Sequence, residues 1–120
     1  MNPTNGKSPD GIEVLEVDVA EAARLADAGL ALLLDVREDD EWATGHAPAA
    51  VHVPLGDLPY ADVSSDRRVL AICRSGNRSA IAAAALLARG IDARNVRGGM
   101  RAWQTAGLPI TPKDAPSGAP

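Results

Sequence analysis

The chain has 120 residues, 46% hydrophobic and 23% charged, with a net charge of -4. That is enough for one compact domain and too little for two. An acidic balance, no long basic run and only three aromatic residues (Trp42, Tyr60, Trp103) argue against a nucleic-acid-binding protein.

Residues 1–11 are rich in Asn, Pro, Gly and Ser and read as a flexible N-terminal arm. Residues 111–120, "TPKDAPSGAP", read as a flexible tail. The folded domain is therefore expected over residues 12–110. No apolar h-region marks the start, and the longest apolar stretch is far too short to span a bilayer, so no membrane association is expected.

Within those limits strands and helices alternate. Residues 14–17 predict a short strand. Asp18 with Glu21 three residues on predicts a helix start, and Gly29 its end. "ALLLDV" is a continuous apolar run, as in a buried parallel strand. "EDDEWAT" reads as a short helix with acids in its first turn, stopped by Gly45. "AVHVP" and "RVLAI" read as strands, and residues 78–89 as a helix closed by Gly90. "ARNVR" is a last strand and "GGMRAWQTAG" a last helix. The alternation predicts an α/β fold: a mainly parallel central sheet with helices on both faces. Ligands of such sheets bind beyond the carboxyl ends of the strands.

Cys73, the chain's only cysteine, falls at one of those ends, after "RVLAI". It excludes an internal disulfide, which fits a reducing cytoplasm. A thiol is a nucleophile as thiolate, and helix N-termini and cations lower its pKa from about 8.5 to roughly 3.5–7.5. Both are expected here: a helix begins a few residues on, Arg74 and Arg78 bring charge, and residues 73–79 contain no acid. A cation in a helix first turn opposes the macrodipole, so stability alone does not explain Arg78. An anion held by the loop would. Gly76 would let successive N–H groups curl inward.

Three segments then resemble the rhodanese family of sulfurtransferase domains. "LLDVREDDEWATGHAPAAVHVP" is similar to its D-x-R and G-H-x-P-x-A stretch. "CRSGNRS" is similar to its active-site loop, and "NVRGGMRAWQTAGLP" to its closing G-G-x-x-x-W segment. The likeness spans about residues 14–110 and implies a rhodanese-like three-layer domain. It also implies ping-pong chemistry. Cys73 would take a sulfane sulfur from a small anionic donor, thiosulfate or a persulfide. It would pass the sulfur to cyanide or a thiol acceptor such as glutathione or thioredoxin. Arg74, Ser75, Gly76, Asn77, Arg78 and Ser79 would line the substrate site, with Ser79 also a candidate helix cap. No metal and no cofactor is implied. Phosphatases of the same fold carry a loop one residue longer, so phosphate-ester chemistry is disfavoured. The alternative is a binding or sensing module that uses the same loop without turnover.

Asp35 and Arg37, at a strand end, are expected to form an ion pair that supports the active loop. His46 is expected to fix a turn through a backbone hydrogen bond. His52 has no evident partner in sequence. The run of Glu38, Asp39, Asp40 and Glu41 reads as a helix first turn rather than a metal site. Trp42 and Trp103 read as packing residues.

Overall fold

The structure, a computed structural model, describes residues 6–7, 12–63 and 66–112. Its elements in chain order are β1 (Gly6–Lys7), β2 (Glu13–Val14), β3 (Glu16–Val17), α1 (Val19–Asp27), β4 (Ala31–Asp35), α2 (Asp39–Ala43) and β5 (Val51–His52). A 3-10 helix (Leu55–Tyr60), β6 (Arg68–Ile72), α3 (Asn77–Ala88), β7 (Ala93–Val96) and α4 (Gly99–Thr105) follow.

Five strands form one sheet in the order β3-β7-β6-β4-β5, and every pairing in it is parallel. β6 lies in the middle, flanked on one side by Ala31–Asp35 of β4 and on the other by β7. The expected single strand at residues 14–17 is split at Leu15. β2 turns away to pair antiparallel with β1, while β3 joins the sheet edge beside β7. The expected N-terminal arm lies mostly outside the described residues. Its described part, Gly6–Lys7, is paired. Most of the expected C-terminal tail also lies outside them, and Thr111 forms an isolated bridge with His46.

Because side chains alternate along a strand, the three inner strands β4, β6 and β7 each feed two cores. Val69, Ala71 and Cys73 join Leu34, Val36 and Ala93 under the apolar face of α3 and Leu58 of the 3-10 helix. Leu70 and Ile72 join Leu33 and Val96 under α1 and α4, with Met100 and Trp103. The three-layer architecture follows from buried apolar runs that have two faces to cover. α3 carries Ala82, Ala83 and Ala84 against the sheet, so its backbone comes close to β6 and β7.

The predicted helix starts and stops are built as their chemistry requires. Asp18 Oδ1 accepts the Glu21 N–H at 2.8 Å, and Gly29 leaves α1 at φ +73°. α2 opens with a capping box between Glu38 and Glu41. The acid run is thus helix-start chemistry, as the sequence predicts. Among the described residues no helix is long and apolar enough to cross a membrane.

Candidate active site

Residues 73–79 form the turn from the C-terminal end of β6 into α3. α3 has an unusual start. Its N-cap is Gly76, at φ +107° and with no side chain to accept a hydrogen bond. The first turn of a helix leaves N–H groups without intrahelical partners. Here the sulfur of Cys73 supplies the missing acceptor. The Ser79 N–H, in the third position of α3, points at Sγ at 3.3 Å, and the Gly76 N–H donates to it at 3.1 Å. Ser79 itself is not the cap, contrary to the sequence expectation. It lies inside the helix, because the left-handed glycine already turns the chain three residues earlier.

The same cysteine also caps α4 through its backbone. The Met100 N–H donates to the Cys73 carbonyl at 2.8 Å, and the Arg101 N–H to the Arg74 carbonyl at 3.0 Å. This contact needs Gly99. A Cβ there would collide with the Cys73 carbonyl and the Arg74 backbone, and φ is +59°. Two helix starts, each with a partial positive charge, therefore meet at one residue.

Cys73 is 1% exposed and Gly76 and Ser79 are buried, while Arg74, Ser75 and Asn77 are exposed. The predicted loop residues thus divide into a floor (Cys73, Gly76, Ser79) and a rim (Arg74, Ser75, Asn77).

Arg78 has a partner that the sequence did not reveal. Its guanidinium makes a bidentate pair with Glu41 of α2, at 2.6 and 2.8 Å. This pair holds the Glu41 carboxyl down at about 2 against an ordinary 4.5, with the bonds from Arg78 as the largest cause. The pair supplies the stability account that helix-dipole reasoning alone denied to Arg78. The nearest acid is remote in sequence, so a search of residues 73–79 could not find it.

Asp35 and Arg37 form a fully buried ion pair at 2.8 Å. Arg37 also donates to the carbonyls of Glu41 and Gly45, at 3.2 and 2.8 Å. It thereby pins the middle of α2 and the turn after it to the end of β4. His46 Nδ1 donates to the Trp42 carbonyl at 3.1 Å, and its backbone pairs with Thr111. His52 does have a partner: Nε2 donates to the Arg37 carbonyl at 2.7 Å. Trp42 lies stacked between the two imidazoles, with ring centroids 3.4 Å from His46 and 4.6 Å from His52. Trp103 is 3% exposed and donates its indole N–H to the Pro109 carbonyl at 2.8 Å.

Sequence reasoning missed Asn95. It is 2% exposed in the middle of β7 and bonded to both Ser79 and Gly76. The available signal was a lone amide inside "ARNV", a stretch expected to form a strand.

The family profile described as "Rhodanese-like domain" matches residues 18–106. The chain is 40% identical over 96 residues to YtwF of Bacillus subtilis, covering 78% of this chain and 93% of that protein. It is 42% identical over 98 residues to a protein named "Sulfurtransferase" from Allochromatium vinosum, covering 79% of this chain and 89% of the other. Among solved structures it resembles a rhodanese-related protein of Thermoplasma volcanium, with a TM-score of 0.74 and 28% identity, covering 80% of this chain and 96% of that one. The chain belongs to the rhodanese-like domain family.

Proposed function

We propose that this protein is a sulfurtransferase that carries sulfur as a persulfide on Cys73. The observation that supports this most is the placing of Sγ as the acceptor of two backbone N–H groups at the start of α3. Two backbone N–H donors at a helix start form a cradle of the kind that holds anions.

The reaction runs in two displacements. The Cys73 thiolate attacks the outer sulfur of thiosulfate or a related sulfane donor. A bond forms between the two sulfurs, the donor's own S–S bond breaks, and the leaving group takes the electron pair, sulfite from thiosulfate or a thiolate from a persulfide. The acceptor, cyanide or a thiolate, then attacks the terminal sulfur of the persulfide. The Cys73–sulfur bond breaks and its electron pair returns to the thiolate. Loop N–H groups would hold the terminal sulfur while it is negatively charged.

Cations gather on the exposed side. Arg74 is on the rim, and Arg97 and Arg101 are exposed on the segment and helix that follow β7. In a chain of net charge -4 this local excess suits an anionic donor. Arg78 serves it indirectly, fixing the start of α3 against α2. Asp35, Arg37 and His46 act further back by holding α2 and its following turn. With one cysteine, the sulfur must leave to a separate molecule such as glutathione or thioredoxin. The cytoplasm, where thiols stay reduced, is the compartment that suits this chemistry.

The test is transfer of sulfur from thiosulfate to cyanide, read as thiocyanate, with Cys73→Ala beside the native chain. The native chain turns over and gains about 32 Da, one sulfur atom, on incubation with donor alone. The variant does neither. Equal rates in both proteins, or no gain in mass with thiosulfate and persulfide donors, would overturn the proposal and leave a module that binds without turnover.

A further inference from the structure

The floor of the site contains a hydrogen-bond chain that the transfer mechanism does not use. Ser79 Oγ lies 3.1 Å from Cys73 Sγ and 2.6 Å from Asn95 Oδ1. Asn95 Nδ2 lies 3.0 Å from a Glu16 carboxylate oxygen and 3.1 Å from the Gly76 carbonyl. The last two partners are pure acceptors, so the nitrogen of the Asn95 amide must face them and its oxygen must face Ser79. Ser79 has a single hydroxyl hydrogen. At 2.6 Å from the buried Asn95 amide oxygen, that hydrogen belongs to Asn95.

We infer that Asn95 is a positioning residue of the sulfur site, which withholds the Ser79 hydroxyl hydrogen from the Cys73 sulfur. In the thiol state the donors all run one way. S–H donates to Ser79, Ser79 to Asn95, and Asn95 to Glu16 and Gly76. After ionisation the hydroxyl stays aimed at Asn95, and the thiolate keeps only the two backbone N–H groups. The consequence is chemical. Each added hydrogen bond stabilises a thiolate, and a more stable thiolate is a weaker nucleophile. Asn95 thus keeps the sulfur anion ready to attack. Its second bond, to the Gly76 carbonyl, fixes the peptide that aims the loop.

The inference rests on the sulfur-transfer reading for its purpose and on none of it for its test. The charged groups around the sulfur are Arg74 in the loop, Arg78 with Glu41, Glu16 beside Asn95, the Asp35–Arg37 pair at the neighbouring strand end, and Arg97 and Arg101 on the segment and helix after β7. None of these is altered by the variants used. Asn95→Ala frees the hydroxyl to turn to the sulfur. The ultraviolet absorbance of the thiolate, read against Cys73→Ser, is expected to rise through its acid limb at about tenfold higher proton concentration. At pH values above that limb, alkylation by iodoacetamide should be about threefold slower than in the native chain. In Ser79→Ala/Asn95→Ala both changes should vanish relative to Ser79→Ala. A residue that only braces the fold would shift both backgrounds alike, and that result, or an unmoved profile, overturns the inference. Ser79→Ala alone gives an independent check should Asn95→Ala not fold. It should leave the acid limb in place or move it to lower pH, and a move to higher pH would show that Ser79 donates to the sulfur after all. Failure of thiocyanate formation with these results intact would instead count against sulfur transfer.

Discussion

Glu41 and Arg78 show how much one residue pair can carry. Glu41 is part of the capping box of α2, accepting the Glu38 N–H at 2.9 Å, and it also grips Arg78 at the start of α3. Its folded value of about 2 lies below the ordinary 4.5. A depressed carboxylate contributes stability that is full above the unfolded value and drains away as pH falls through the folded one. The native chain should therefore lose stability between pH 4.5 and about 2 that Glu41→Gln does not have to lose. For a partly exposed bidentate pair the difference is about 1 kcal/mol. Urea unfolding at neutral pH and near pH 3 measures it, and parallel losses in both proteins would remove the pair from the acid response. At this scale the sequence was legible where chemistry is local. Cys73, Gly76 and the Asp35–Arg37 pair sit within a few residues of their partners. Glu41 with Arg78, and Asn95 with Ser79, meet only through the fold, across 37 and 16 positions. Their pairing could not be read from spacing.

Among the elements, the contact between the Cys73 loop and α4 is a close one. The N–H groups of Met100 and Arg101 enter the carbonyls of Cys73 and Arg74, and this works only if position 99 has no side chain. Gly99→Ala should move the loop backbone, since the obstructing atoms are main chain. The expected result is a fall of about 100-fold in sulfur transfer from misplacement alone. A positive φ adds about 1–3 kcal/mol of strain. Measuring kcat beside the unfolding free energy separates the two, and unchanged turnover would show that α4 does not set the loop. The G-G pair was visible in sequence as a helix start. Its role against Cys73 was not, because it depends on β6 and β7 being neighbours. Element boundaries were readable where caps and glycines mark them, as at Asp18 and Gly29. The strand expected at residues 14–17 was misread because Leu15, 40% exposed, breaks a pattern too short to show it. The 3-10 helix at Leu55–Tyr60 carried no periodic signal at all.

For the whole molecule, class was legible and order was not. Alternating strands and helices imply a parallel sheet, but β6 sits between β4 and β7 because long-range pairing places it there. That position surrounds the end of β6 with α2, α3 and α4 together. Cys73, the proposed sulfur carrier, is consequently also a structural joint: its sulfur caps the start of one helix and its carbonyl the start of another. A change at this atom must then be felt as a change in how firmly two helices are fastened. Converting the thiol to an anionic persulfide strengthens the charge at the opening turn of α3, worth about 0.3–1 kcal/mol. Calorimetry should find the donor-treated chain melting a few degrees above the untreated one, about 2–6 °C for a domain of this length. Identical melting curves for the two forms would separate the joint from the chemistry. The melting temperature thus becomes a gauge of cargo, reporting whether the proposed carrier is loaded or empty before any acceptor is added.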